Sequence, residues 1–222
     1  MVALCIFGCV GEARADAGFS LAEPPLWAVG LEGYGGLMLQ LTSAAPDVQA
    51  SANRAHAFAG GLLRGRYRYF QGGVFLETTD SGEARLMLEP TQEHFRTLGA
   101  FAGAWLPFEH WVDIDASLGI GSRLYQNPSL LYGPNGFSVT SPVIAFRVGV
   151  SDRSSENRFG VRLGAAFVGS VDLDRNAVTW HRRFLREDGT LGERTGTTPI
   201  GGVAFGLMLT AGFDVCACRG KQ

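Results

Sequence analysis

Charge is scarce in this chain. Asp, Glu, Lys and Arg make up 18% of its 222 residues, against roughly 25% in an average soluble domain. The net charge of -2 at pH 7 leaves no electrostatic surplus that would point to nucleic acid or another polyanion as a partner. Lysine is nearly absent, with Lys221 standing alone. Long apolar runs are missing as well. No stretch reaches the ~20 residues that a membrane-spanning helix needs, so any passage through a bilayer has to be made by strands. Cysteine is confined to the two ends, at Cys5, Cys9, Cys216 and Cys218. Near Cys216-x-Cys218 only Asp214 offers a further ligand, short of the four that a structural zinc site uses. Gly33-Tyr34-Gly35-Gly36 lacks the lysine and the helix start of a phosphate loop. Neither a metal nor a cofactor is expected.

What the chain does have is alternation. Eight segments, 26–42, 55–69, 74–79, 95–106, 111–124, 142–151, 158–173 and 198–215, read as strands. The gaps between them alternate in length: long at 43–54, short at 70–73, long at 80–94, short at 107–110, long at 125–141, short at 152–157 and long at 174–197. Long loops on one side and tight turns on the other mark a barrel whose two ends meet different compartments. The expected fold is all-β, an eight-stranded antiparallel up-and-down transmembrane β-barrel over residues 18–215. Residues 1–17 read as the end of a secretory signal peptide. Val2-Ala3-Leu4-Cys5-Ile6-Phe7-Gly8-Cys9-Val10 is its short apolar core, and Ala13-Arg14-Ala15-Asp16-Ala17 offers small-x-small cleavage. Its positive start is missing, so the true start is expected upstream. Residues 216–222 read as a tail.

The two faces of each strand differ in kind. In 111–124, Val112, Ile114, Ala116, Leu118 and Ile120 oppose Asp113, Asp115, Ser117, Gly119, Gly121 and Arg123, a period of two. Segment 158–173 sets Phe159, Val161, Leu163, Ala165 and Phe167 against Arg158, Arg162, Gly164, Ser170 and Asp172. A soluble barrel would bury the apolar face, whereas a membrane barrel turns it outward to lipid. Three features favour the second arrangement. The polar face is mostly Gly, Ala, Ser and Thr, which suits a narrow lumen. Its charges are mixed in sign and can pair there: Glu32, Glu77, Asp113, Asp115 and Asp172 with Arg64, Arg66, Arg68, Arg123, Arg147 and Arg162. Aromatics gather at the turn end, where Trp27, Tyr67, Tyr69, Trp105, Trp111, Phe159 and Phe213 would form an interfacial girdle. For 74–79 and 95–106 the pattern does not assign faces.

With strand count, loop asymmetry, signal and girdle together, the chain resembles the small outer-membrane barrels of the OmpA/OmpX/OmpW type over residues 19–215. Phe213 and Val215 stand near the final-strand aromatic of that family, although Cys216 and the residues after it extend beyond the family's usual end. The resemblance implies a bacterial outer-membrane location with the N-terminus periplasmic and the loops extracellular. It also implies a monomer among outer-membrane lipids and lipopolysaccharide, with a structural or surface-interaction role or binding of a small amphiphile. A secreted, lipocalin-like barrel with an apolar ligand inside is the alternative. A small pore and a lipid A-modifying enzyme rank below it. An eight-stranded lumen is just filled by side chains, and neither His56 nor His94 has a serine at two-residue spacing. His110 falls in a short turn and His181 in the longest loop. Trp180-His181-Arg182-Arg183-Phe184-Leu185-Arg186 interleaves basic and aromatic residues there. It reads as a β-hairpin turning at Glu187-Asp188-Gly189-Thr190, with contact to anionic lipid heads a compatible reading.

Overall fold

The computed structural model describes residues 21–41, 53–80, 94–108, 112–127, 134–153, 159–174, 176–186 and 189–216. The expected signal peptide, Trp111, His110 and Cys218 lie outside them. Ten strands form: β1 (Trp27–Leu41), β2 (Asn53–Tyr67), β3 (Phe70–Asp80), β4 (His94–Pro107), β5 (Val112–Asn127), β6 (Phe137–Arg153), β7 (Phe159–Asp172), β8 (Asn176–Leu185), β9 (Leu191–Ile200) and β10 (Val203–Cys216). Eight of them close into one antiparallel barrel in the order β1-β2-β3-β4-β5-β6-β7-β10, and β8-β9 is a separate two-stranded sheet. The meander is the up-and-down barrel that the gap rhythm predicts. The insertion between β7 and β10 is the expected hairpin, and Gly189 in its turn has φ +80°.

Register runs unbroken through every barrel pair, and it fixes the stagger. From Tyr34 the ladder passes through Gly60, Glu77 and Thr97 to Arg123 on β5. In the other direction it passes through Thr210, Gly164 and Ser151 to Asp113 on β5. The two arrivals are ten residues apart (123 against 113). A stagger of that size tilts the strands by roughly 35–45° and leaves an interior just wide enough to be filled by side chains.

Sidedness is inverted relative to a soluble barrel. Leu118, Ile120 and Leu209 are 61%, 71% and 75% exposed on the outside, while Asp113 and Arg123 inside are fully buried. This arrangement is the reverse of a lipocalin-like barrel with an apolar interior. Near the loop end the pattern changes sign. Thr78, Arg96, Gln126, Ser138 and Thr140 point out, while Phe95, Tyr125 and Phe137 turn in. Polar side chains outside and apolar ones inside are the arrangement that water around that end of the cylinder favours.

That change of sign explains one departure of the strand boundaries from the sequence reading, and the others have local causes. β5 and β6 extend to Asn127 and back to Phe137, shortening the expected 125–141 loop, because their upper turns no longer carry the outward-apolar signal. β3 starts at Phe70, not residue 74, and the turn is Arg68-Tyr69 alone. The last segment was read as continuous from residue 198. It breaks at Gly201 and Gly202, whose φ values of +95° and +126° only glycine adopts without strain. In β4, Phe95, Thr97, Phe101 and Trp105 face inward, with Leu98, Ala100, Ala102 and Ala104 outward. Cys216 is the last residue of β10, opposite Ala28, rather than part of a free tail.

Both ends of the cylinder are crossed by chain. Residues 21–26 run from β1 to the β4–β5 turn on the far side of the ring, where Ala22 N donates to Pro107 O at 3.0 Å and Leu21 bridges Phe108. At the loop end Ile200 is buried, and Val178 packs against the same apolar cluster as Phe95, Tyr125 and Met38.

Leu118 lies mid-strand on the outer face, opposite Ala102 and Phe146. Leu118→Arg is expected to cost about 2–4 kcal/mol if that height is lipid, seen as a lower urea midpoint of the folded, heat-modifiable gel band. An unchanged midpoint would place Leu118 away from hydrocarbon.

Candidate functional site: the charged lumen

Period-2 geometry sends every second residue of all eight strands into one narrow space, and their charges meet there in two groups. The group nearer the turn end contains four arginines and four carboxylates. Arg64 contacts Glu32 at 2.8 Å and Asp214 at 3.3 Å. Arg66 and Arg162 reach Asp214 at 2.8 and 3.0 Å. Arg162 also reaches Asp113 at 2.9 Å and donates to the Ser151 hydroxyl. Arg147 joins Glu32 at 2.7 Å to Asp115 at 3.6 Å. Signs balance within the group, which matters because a buried charge left alone costs several kcal/mol.

The second group lies toward the loops. Arg123 holds Asp172 at 3.2 Å, Ser170 Oγ at 2.8 Å and Thr97 Oγ1 at 2.9 Å. The Tyr125 hydroxyl donates to Asp172 at 2.8 Å, and Gln40 donates to the Tyr125 oxygen at 3.4 Å. Glu77 accepts from the Tyr34 hydroxyl at 3.4 Å. Two cation–π contacts tie the charges to rings, with Arg66 4.3 Å over Trp105 and Arg123 4.4 Å over Phe95. Rings of this size fit because glycines stand opposite them. A Cβ on Gly60 would lie 2.5 Å from the Tyr34 ring, and one on Gly99 2.6 Å from Phe75. Between the groups a cavity of about 50 Å³ is walled by Tyr34, Met38, Leu62, Phe75, Phe101 and Met208, with Glu77 and Arg147 beside them.

Ten of the eleven charges assigned to the lumen from sequence thus point inward: Glu32, Arg64, Arg66, Glu77, Asp113, Asp115, Arg123, Arg147, Arg162 and Asp172. Arg68 does not. It sits in the β2–β3 turn at φ +52°, exposed, with its guanidinium 5.8 Å over the Tyr67 ring, because the strand ends one residue before it. Of the aromatics, Trp27, Tyr67, Phe159 and Phe213 are exposed on the outer face near the turn end, and Tyr69 is exposed in a turn. Trp105 is corrected to the lumen, 1% exposed, where it forms a floor for Arg66. Asp214, weighed from sequence as a ligand beside the cysteines and not counted among the lumen charges, carries three of the contacts; its in-register position on the Gly206, Thr210, Gly212 face was the available signal. Tyr125 was overlooked because it fell in a stretch read as loop. His181 pairs with Glu193 on the hairpin at 3.3 Å. The side chains of His56 and His94 are outside the described residues. No group of three or more His, Cys, Asp or Glu with metal-binding geometry occurs among the described residues.

No protein-family model matches the chain, and no curated protein matches it. Among solved structures, Neisserial surface protein A (NspA) superposes with a TM-score of 0.51 at 15% identity, over 90% of this chain and 99% of its own. The fold is that of a small outer-membrane β-barrel. Ail, the attachment invasion locus protein of Yersinia pestis, solved in complex with the heparin analogue sucrose octasulfate, matches at 15% identity and TM-score 0.42, over 87% of this chain and 99% of its own. Outer membrane protein AlkL in lipid bilayers matches at 13% identity and TM-score 0.45, over 91% and 96%.

Asp214 is the hub of the lower group. Asp214→Asn keeps the shape but leaves Arg64, Arg66 and Arg162 short of a counter-charge, and a loss of about 3–5 kcal/mol is expected in denaturant unfolding of the detergent-folded protein. A loss under about 1 kcal/mol would mean that the cluster is solvated rather than enclosed.

Proposed function

We propose that the protein is a structural and surface-interaction barrel of the bacterial outer membrane that does not conduct. The N-terminus and short turns face the periplasm, and the long loops with the β8–β9 hairpin face outward. Residues 1–17 are the signal peptide removed on export, and Trp27, Tyr67, Tyr69, Phe159 and Phe213 form the periplasmic-side girdle. One observation carries the reading: the lumen is occupied by ion-paired side chains from Asp214 up to Asp172. The chain segments across both ends support it. The 50 Å³ cavity has room for a few waters and is far below the ~300–1,000 Å³ of a pocket for a drug-sized ligand. Binding of a small amphiphile therefore belongs to the outer surface or loops. Lipids and lipopolysaccharide are the partners, contacted by a monomer, and no catalytic role is assigned.

Two measurements test this. In planar bilayers the purified protein is expected to give no stepwise conductance at any salt concentration, whereas discrete openings would sink the closed-lumen reading. In cells it is expected to fractionate with outer membranes, with lipid A unchanged by mass spectrometry on overexpression. A soluble pool without detergent, or altered lipid A, would contradict the location or the non-catalytic role respectively.

A further inference from the structure

We infer that the cavity between the two charge groups holds an ammonium-type cation against Glu77, as a structural ligand that completes the lumen; the inference rests on the closed lumen proposed above. Charge balance is the first reason. In the lower group four arginines meet four carboxylates, whereas in the upper group Arg123 stands against both Asp172 and Glu77. Among the described lumen residues one negative charge is therefore in surplus. With hydrocarbon outside and packed side chains within, that charge is costly unless a proton or a cation joins it.

The surplus sits on Glu77. Its side chain is buried, 8% exposed, and makes no ion pair among the described residues. Its one hydrogen bond comes from the Tyr34 hydroxyl at 3.4 Å, and that hydroxyl also reaches Leu76 O at 3.3 Å. A carboxylate has about four acceptor sites, so most of this one's capacity is unused. Neither neighbouring arginine is free to fill it. Arg123, whose charge acts on Glu77 through space, is bonded to Asp172, Ser170 and Thr97. Arg147, on the cavity wall, is held by Glu32 at 2.7 Å and Asp115 at 3.6 Å.

The chemistry of the wall selects the guest. The cavity of about 50 Å³ exceeds the ~10–15 Å³ that one water-sized guest needs. Around it stand the Glu77 carboxylate, the Ser117 hydroxyl, the rings of Tyr34, Phe75 and Phe101, and the thioethers of Met38 and Met208. Carboxylate, hydroxyl and thioether all accept hydrogen bonds, and aromatic rings attract a cation, more strongly once water is excluded. An ammonium group offers N–H donors in several directions and no acceptor, which is the complement of this wall. An anion or an apolar guest would leave Glu77 uncompensated. The volume limits the guest to ammonium itself or methylammonium.

The test refolds the full-length protein from urea into detergent micelles, so that the guest enters before the lumen closes. Ammonium chloride is varied while lithium chloride holds the ionic strength constant. The folded-to-unfolded ratio of the wild type is expected to rise with ammonium, approaching roughly tenfold per tenfold increase in free cation. Glu77→Gln, which keeps the shape and removes the charge, is expected to show no such rise. Ala145→Val, which fills the cavity from its wall and keeps Glu77, is expected to behave like Glu77→Gln. Wild type refolded in isotopically labelled ammonium and then desalted is expected to retain the label by NMR, and Glu77→Gln to lose it. Potassium, which has no N–H to donate, is expected to act more weakly than ammonium. A wild type indifferent to ammonium overturns the inference, as does a Glu77→Gln variant that responds equally. Stabilisation by acid instead of ammonium, abolished in Glu77→Gln, would assign the surplus charge to a proton and also overturn it. An equal response to potassium removes the ammonium assignment. Stepwise conductance in planar bilayers would instead strike the closed-lumen reading, so the two failures are separable.

Discussion

Inside this barrel a charged side chain can reach only other lumen side chains, and that enclosure governs the rest of the structure. Hydrocarbon outside forbids strands from turning their polar face outward, and eight strands leave too little width for free water to neutralise what points in. Glu32, Asp113, Asp115 and Asp214 therefore have to lie where Arg64, Arg66, Arg147 and Arg162 can meet them. Such buried pairs bring little net stability over apolar packing, but removal of one member leaves a costly orphan. They consequently act as a constraint on register. A slip of one residue in any strand would send its charges into lipid and its leucines into the lumen.

The two charge groups are joined by a middle section of different character. Tyr34, Leu62, Phe75 and Met208 wall the cavity between them, and glycines opposite Tyr34 and Phe75 make room for the rings. Space for a large inward side chain is thus created on the facing strand, not on its own. The closed lumen and the outward hairpin divide the roles in the proposed function. On that proposal the barrel serves as a closed anchor, and contact with the surroundings falls to its outer face and loops.

Much of this was legible along the chain. Period-2 alternation in β5, β7 and β10 was strong because lipid on one side and a packed lumen on the other penalise every exception, so Leu118, Leu163 and Leu207 were placed outward from sequence. The hairpin turn at Gly189 was legible for a different reason, the turn chemistry of Glu187-Asp188-Gly189-Thr190. Errors cluster where that double constraint weakens. Trp105 was placed in the girdle because aromatics near a turn suit either side of the wall, and β4 alternates rings with alanines too small to vote. Arg68 was placed inside by extending β2 past its true end. Tyr125 and Phe137 lie near the loop end, where the rule of faces reverses.

Taken alone, the order of residues determined the number of barrel strands, their up-and-down connection and which side of most strands meets lipid. It did so because each of those follows from short-range periodicity and turn chemistry. It could not say which arginine meets which carboxylate. Asp214 gathers Arg64, Arg66 and Arg162 from β2 and β7, up to 150 positions away in the chain. Only the pairing of β1 with β10 that closes the sheet brings those side chains together, because Arg64 and Asp214 stand on either side of Gly30, whose missing side chain leaves the room for them to meet, and a pairing between the first and last strands leaves no local mark on the sequence.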